Sequence, residues 1–282
     1  MYGNTCLCVV NITLPETPVN PCHRSSEIPR VSWLLCTHRE DTLLHRAMQS
    51  CLSQTMADFE LLLVVNGPDT VRLVPHLAQA YACDTRVRVI GTPIHLLNFS
   101  LNLGLHSARA PFVARMDADD VSHPERLTTQ LAFIETHEDI AVLGSSYLLI
   151  DAQGEVKGQV DAPLTDPDIR KALYLRNPIC HPSVMLRRDV VLRTGGYLGG
   201  RNAEDYDLWL RLAMDKQCRF ANLASPLLSY NVSPDGAARR SREAYGNVAG
   251  AQLRQFLITR DVRWLVGATL SAAKSFGLAN RP

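Results

Sequence analysis

Three carboxylates fall within four residues at Asp117-Ala118-Asp119-Asp120, where the apolar run Pro111–Asp117 ends. Crowded there without partners they would repel one another, and at least one would have its pKa raised. A divalent cation relieves that repulsion. Hard carboxylate oxygens suit Mg²⁺ or Mn²⁺, and Mg²⁺ usually combines one or two carboxylates with the phosphates of a substrate. An ion so held bridges a diphosphate and offsets the charge that grows on it as it departs. The competing explanation is a cap for the helix expected from Pro124, because carboxylates favour helix N-termini. One aspartate meets that need, and three at the end of a strand exceed it.

A second acidic group stands at Glu204-Asp205-Tyr206-Asp207. Behind it the apolar stripe Leu208, Trp209 and Leu212 predicts a helix over Glu204–Lys216. Carboxylates in a first turn complement the helix dipole by a few tenths to about 1 kcal/mol, which accounts for Asp207. Asp205 has a further use open to it, since a carboxylate within hydrogen-bond reach of a hydroxyl can act as general base. His181, in Asn177-Pro178-Ile179-Cys180-His181-Pro182-Ser183, is a third polar candidate, although a lone histidine is more often structural.

The elements that must position these groups can be read from periodicity. Val31–Thr37, Glu60–Asn66, Arg86–Ile90 and Pro111–Asp117 have the apolar character of buried strands. Between them Thr42–Gln54, Thr70–Ala82 and Asn98–Arg109 have helical spacing. This alternation implies an α/β fold with a mostly parallel sheet flanked by helices, whose ligands bind beyond the carboxyl ends of the strands. Thr37–Arg39, Asn66–Asp69 and Asp117–Asp120 are therefore the places to look first. After residue 120 the strict alternation stops. Pro124–His137, Asp166–Leu175 and Glu204–Lys216 read as helices and Ile140–Asp151 as a strand, an α+β second half built onto the first. The chain divides into an irregular, proline-rich leader (1–29), two halves of one domain (30–120 and 121–236) and a basic extension (237–282).

Composition excludes some classes. With 29 Lys and Arg against 28 Asp and Glu, the formal charge is +1, without the basic footprint of a nucleic-acid binder. No CxxC pair meets a second at zinc spacing, and Cys36 and Cys51 sit inside apolar patterns, so the cysteines read as reduced thiols of a cytoplasmic protein. No run is long enough to span a bilayer. The segment 251–275 mixes Phe256 and Trp264 with Arg254, Arg260, Arg263 and Lys274. It is either a basic amphipathic surface for the inner face of a membrane or a helix packed on the domain.

The Asp-Ala-Asp-Asp tetrad closing the fourth strand resembles the DxD motif of GT-A-fold, family 2 glycosyltransferases. Val-Ser-Trp-Leu-Leu-Cys-Thr-His-Arg (31–39), Ser53-Gln54-Thr55, the Asn98–Ala108 segment with Asn102 and Gly104, Gly195-Gly196-Tyr197, and Glu-Asp-Tyr-Asp-Leu-Trp-Leu-Arg (204–211) are similar to further motifs of that family, in order, over about residues 29–235. The resemblance implies an inverting, metal-dependent transferase. It would move a sugar from a nucleotide diphosphate donor, a UDP-sugar, to a hydroxyl of a glycan or lipid-linked saccharide in cell-surface polysaccharide synthesis. It sets Thr37, His38, Arg39, Asn66, Asn98, Arg115 and Asp117 about the donor, and Asp117 and Asp119 on Mn²⁺ or Mg²⁺. Glu204 and His181 fall to the acceptor, and Asp205 becomes the general base.

Three departures stand out. Family members commonly end the second strand Asp-Asp-Gly-Ser, the second Asp reading the nucleobase, where this chain has Val65-Asn66-Gly67-Pro68. Asn66 can still donate or accept one bond to a base edge, though Asn-Gly-Pro is also simply a tight turn. The turn after the first strand is Cys36-Thr37-His38-Arg39 in place of the usual Pro-Thr-Tyr-Asn. After Leu228-Ser229-Tyr230 the usual Tyr-Arg-x-His is absent, which leaves Arg239 or Arg240 as substitutes. A non-catalytic sugar-nucleotide-binding protein stays open as an alternative. A sugar nucleotidyltransferase is disfavoured by the lack of glycine in Thr37–Asp41.

Overall fold

Strands that read as unbroken apolar runs need cover on both faces, and that requirement organises the sheet. The computed structural model describes residues 28–232 and 241–279. Nearly all of the expected leader, together with Arg239 and Arg240, lies outside the described residues. Strands β1 (Val31–Thr37), β2 (Phe59–Asn66), β3 (Val87–Thr92) and β4 (Phe112–Asp117) run parallel, linked by α1 (Thr42–Leu52), α2 (Thr70–Ala80) and α3 (Leu97–Ser107). The period of two sorts their side chains. Val31, Trp33, Leu35, Leu61, Leu63 and Val65 enter one core, while Leu34, Leu62 and Val64 enter the other. Each such side chain, fully buried, contributes about 1.5–3 kcal/mol.

The second half adds β5 (Val121–Ser122), β6 (Ile140–Ile150), β7 (Val156–Val160), β8 (Met185–Arg187) and β9 (Arg219–Asn231). Among the described residues the order is β3-β2-β1-β4-β8-β6-β9-β5, with β7 paired to β6. The chain winds outward from β1 to β3 and then crosses to β4 on the other side of β1, so a crevice opens at the carboxyl ends of β1 and β4.

Helices α4 (Arg126–Thr136), α5 (Asp166–Leu173), α6 (Arg188–Arg193), α7 (Glu204–Leu212), α8 (Arg242–Thr259) and α9 (Val262–Ala279) complete the described fold. Departures from the sequence expectation fall in three places. Helix α4 begins two residues after Pro124, whose carbonyl accepts from Thr55 N at 2.9 Å instead of starting the helix. Helix α7 ends at Leu212, well short of Lys216, because the Asp215 carboxylate takes the Gln217 N–H at 2.8 Å and turns the chain. The tail is a hairpin. Arg260 adopts left-handed φ (60°) after α8, and the Asp261 carboxylate accepts the Arg263 N–H at 3.0 Å to open α9.

Buried polar groups tie the layers together. Gln54, the middle residue of Ser-Gln-Thr, donates to the carbonyls of Ser50 (3.0 Å) and His123 (2.9 Å) and accepts from Leu127 N (3.0 Å), fixing the chain just beyond the aspartates. Fully buried Arg126 donates to the carbonyls of Pro182 (2.8 Å) and Arg115 (2.9 Å) and lies over the Trp33 ring. Gln252 on α8 donates to Tyr174 O and Tyr206 Oη, both at 2.9 Å, and accepts from Ser271 Oγ at 2.8 Å, joining the hairpin to α5 and α7.

Candidate active site

Strand ends and the loops that follow them enclose a cavity of about 650 Å³. Of the residues expected about a donor, Thr37, His38, Arg39, Asn66, Asn98 and Asp117 line it, and so do Asp119 and Glu204. The remaining three candidates stand back from its lining. Arg115 is buried on β4, His181 is buried in the turn before β8, and Asp205 sits beside Glu204.

At the end of β1, Thr37 Oγ1 donates to Arg39 O (2.6 Å) and accepts from Arg39 N (3.2 Å), a local turn of the kind hydroxyl side chains favour. Asp41 then accepts from Leu44 N at 2.9 Å and caps α1, while its other oxygen holds Arg39 Nε at 2.7 Å. His38 faces His95 at 5.0 Å between ring centres. Burial, then the charges of His95 and Arg39, hold the His38 pKa below its usual value, so this ring is neutral near pH 7. Asn66 ends β2 almost fully buried. Its Nδ2 donates to Ser100 Oγ at 2.8 Å, and Ser100 spends its own proton on Leu96 O at 2.9 Å. The Asn66 Oδ1 accepts no hydrogen bond among the described residues. This oxygen is itself buried, so a donor reaches it only if the wall gives, and pairing it would then be worth about 1–3 kcal/mol.

The carboxylates of Asp117, Asp119 and Asp120 bring one oxygen each within 4.8 Å of the others. Arg115, one pleat back, pairs with Asp117. Burial alone would lower the pKa of Arg115, but the charge and hydrogen bond of Asp117, together with Cys36 and Tyr197, outweigh it and keep the guanidinium protonated. Asp120 is fully buried, and its Oδ1 accepts from Asn231 N at 2.8 Å, locking the end of β9 to the cluster. The capping explanation loses its ground, because the N-cap residue of α4 is Glu125, whose side chain makes no cap bond, and the first-turn Leu127 N–H goes to Gln54 and not to an aspartate. Three hard oxygen donors, with two of the side chains open to the cavity, fit Mn²⁺ or Mg²⁺.

Across the cavity, Glu204 and Asp205 open α7. Burial first, then the Asp205 charge, raise the Glu204 pKa to about 7. Burial also raises Asp205, against the opposing bonds from Tyr206 N and Asn177 Nδ2, each 2.7 Å. Carboxylates shifted in this way suit acid–base work near neutral pH. Asp207 does more than complement a dipole. It is buried and binds Arg211 Nε at 2.7 Å and Arg254 Nη2 at 2.6 Å, the latter from α8. His181 Nε2 meets Tyr197 Oη at 2.9 Å, and burial, then Arg115, hold its pKa well below the usual value. This neutral ring supports Tyr197. Gly196 needs its glycine, having φ +68° and leaving an added Cβ 2.3 Å from Asn102 Oδ1. Asn102 in turn clamps Tyr197 through its N–H and its carbonyl (2.8 and 2.9 Å).

Two parts of the wall escaped the sequence reading. His95 follows the end of β3, a strand end to which the carboxyl-end rule applies as it does to β1, β2 and β4. The loop Gly199–Asn202 carries no motif, and it reaches the cavity through Asn98 Nδ2, which donates to Gly199 O at 3.3 Å.

Comparison with known proteins agrees with this geometry. The family profile described as "Glycosyl transferase family 2" matches residues 32–196. The O-antigen biosynthesis glycosyltransferase WbnJ of Escherichia coli is 35% identical over 233 residues, covering 82% of this chain and 91% of that protein. Among solved structures, S. aureus TarS 1-349 in complex with UDP-GlcNAc is similar at TM-score 0.58 and 16% identity, over 79% of this chain and 66% of that one. The mannosyltransferase PcManGT from Pyrobaculum calidifontis, in complex with GDP-Man and Mn2+, gives TM-score 0.58 and 13% identity over 93% and 77%. These two structures share the fold, that of the GT-A glycosyltransferases. From the profile, which spans more than half of the sequence, and from the identity to WbnJ, the chain belongs to glycosyl transferase family 2.

Proposed function

We propose that the protein is an inverting glycosyltransferase that moves a sugar from a UDP-sugar to a hydroxyl of a glycan or lipid-linked saccharide during synthesis of a cell-surface polysaccharide. The observation that supports this reading is one cavity lined by Asn66, whose buried Oδ1 accepts no hydrogen bond among the described residues, by the carboxylates of Asp117 and Asp119, and by the acidic start of α7 (Glu204). The Asn66 Oδ1 suits the imide N–H of uracil, as it would the N1–H of guanine. The sequence resemblance and the UDP-GlcNAc complex of TarS favour uracil. Neutral His38, paired with His95, offers the base a flat face.

Asp117 and Asp119 would hold Mn²⁺ or Mg²⁺, which when bound neutralises charge on the diphosphate leaving group. The chain's own residues do the rest. Asp205, oriented by Asn177, takes the proton of the acceptor hydroxyl while the acceptor oxygen bonds to the sugar C1. The bond from C1 to the diphosphate oxygen breaks on the opposite face, so the configuration at C1 inverts. The raised pKa of Asp205 makes it a stronger base than an exposed aspartate, and Glu204 contacts the acceptor.

The C-terminal hairpin fits the acceptor side of this reading. Its outer face exposes Leu257, Ile258, Val262, Val266, Leu270 and Phe276 near Arg260, Arg263 and Lys274. Such a face suits the surface of an anionic membrane that carries lipid-linked acceptors. No helix among the described residues is long and apolar enough to cross a membrane. The test is incubation of the purified protein with UDP-sugars, Mn²⁺ and simple saccharide acceptors, with NMR of the new linkage. A product of opposite anomeric configuration to the donor is expected. Retention of configuration, or no transfer from any nucleotide sugar, would contradict the reading.

A further inference from the structure

A carboxylate holds an ion well only where its own backbone is held well, and α1 grips the chain that carries Asp119. Arg46 and Ser50 stand one turn apart on the same side of α1, and Gln54 lies just past its end. The three take the backbone from Asp119 to His123 in order. Arg46 Nη2 donates to Asp119 O at 3.4 Å, Ser50 Oγ accepts from Ser122 N at 3.0 Å, and Gln54 Nε2 donates to His123 O at 2.9 Å. Arg46 also reaches a second segment. Its Nη1 donates to Ala152 O at 3.0 Å, and a Cβ on Gly154 would lie 3.6 Å from the same nitrogen. That turn between β6 and β7 is braced from within, since Asp151 Oδ1 accepts from Gln153 N at 3.0 Å and from Glu155 N at 2.9 Å.

Resting on the metal–diphosphate reading above, we propose that Arg46 is a positioning residue for the divalent ion: its planar fork ties the Asp119 peptide to the braced turn at Ala152 and so fixes the direction of the Asp119 carboxylate. Arg46 stands outside the cavity lining, so it acts through Asp119 and touches neither ion nor nucleotide. Two donors of one guanidinium serve two carbonyls from separate segments. A lysine ammonium carries the same charge but lacks the rigid fork that spans them. Asp120 has an anchor of its own in Asn231 N, at 2.8 Å, so a change at Arg46 leaves that member of the cluster tied.

The test is calorimetry on the full chain, titrating UDP in Mn²⁺ and in EDTA into wild type, Arg46→Ala and Arg46→Lys. Arg46→Ala should weaken UDP binding in Mn²⁺ by about tenfold, as loss of a group that orients a metal ligand requires, and change it by less than about twofold in EDTA. Arg46→Lys should lose nearly as much in Mn²⁺, and it decides the matter should the alanine variant fail to fold. Undiminished affinity of Arg46→Ala in Mn²⁺ overturns the assignment. Full affinity in Arg46→Lys, which would mean that charge alone acts, overturns it as well. So does an equal loss in Mn²⁺ and in EDTA, the mark of general damage. If Mn²⁺ fails to tighten UDP binding to wild type, the metal–diphosphate reading itself fails and the positioning role falls with it.

Discussion

Replacing Glu204 by glutamine should make the protein more stable at alkaline pH, and by an amount the site itself sets. Glu204 is 7% exposed, and burial followed by the Asp205 charge lifts its pKa from 4.5 to about 7. The sign follows from linkage. Below about pH 4 the side chain is protonated in both folded and unfolded chains, so it contributes no pH-dependent penalty. As pH rises towards 7 the unfolded chain ionises freely while the folded chain keeps its proton, and stability falls. Above pH 7 the loss is complete. A pKa difference of about 2.5, at about 1.4 kcal/mol per pKa unit, gives about 3 kcal/mol, part of it belonging to the pair with Asp205. Glutamine keeps the shape and removes the charge. In EDTA at pH 8.5, Glu204→Gln should therefore raise the unfolding midpoint by about 5 °C, while at pH 4 the two proteins should melt within about 1 °C of each other. Urea titrations at the two pH values check the free energies. A variant no more stable than wild type at pH 8.5, or equally stabilised at both pH values, would refute the reasoning. The gain would be the usual counterpart of a functional site held away from its stability optimum.

Asp205→Asn should lower kcat by about 10²- to 10⁴-fold and leave nucleotide affinity unchanged in calorimetry, as loss of a general base requires; near-normal turnover would remove the assignment. The wild-type rate should rise with pH through a limb displaced upward from that of an ordinary aspartate, because burial raises the folded pKa of Asp205. Asn66→Ala should weaken UDP binding by about tenfold through loss of the buried acceptor, and Asn66→Asp, which keeps an acceptor oxygen, by less. Glu60→Gln should destabilise by about 3 kcal/mol without altering the site, because this buried carboxylate accepts from Ser32, Arg88 and Arg109 at the far end of the sheet. Its pKa is held low by those bonds, against burial, so its contribution is full above the ordinary glutamate range and fades on acidification.

The parallel half of the sheet was legible because strands buried on both faces leave unbroken apolar runs such as Leu61–Val65. Strand β8, only Met185–Arg187, is too short to carry a period, yet it joins the two halves between β4 and β6. Helix ends were misjudged where a side chain decided them, as Asp215 does after α7. Within the site, Thr37, Asn66 and Asp117 could be found because strand ends mark ligand positions. The burial that makes Glu204 a strong perturbation is a tertiary effect with no sequence sign. Nor could spacing reveal that Asp207 binds Arg254, or that Asn247 holds the loop at Arg201, since each pair spans two elements far apart in the chain.

The most direct test of the whole account is a calorimetric titration of UDP into wild type and Asp119→Ala, each with and without Mn²⁺. Manganese should tighten UDP binding to wild type by at least about tenfold, in keeping with its electrostatic role, and should do nothing for Asp119→Ala. Equal wild-type affinity with and without the ion, or the same tightening in the variant, would contradict it.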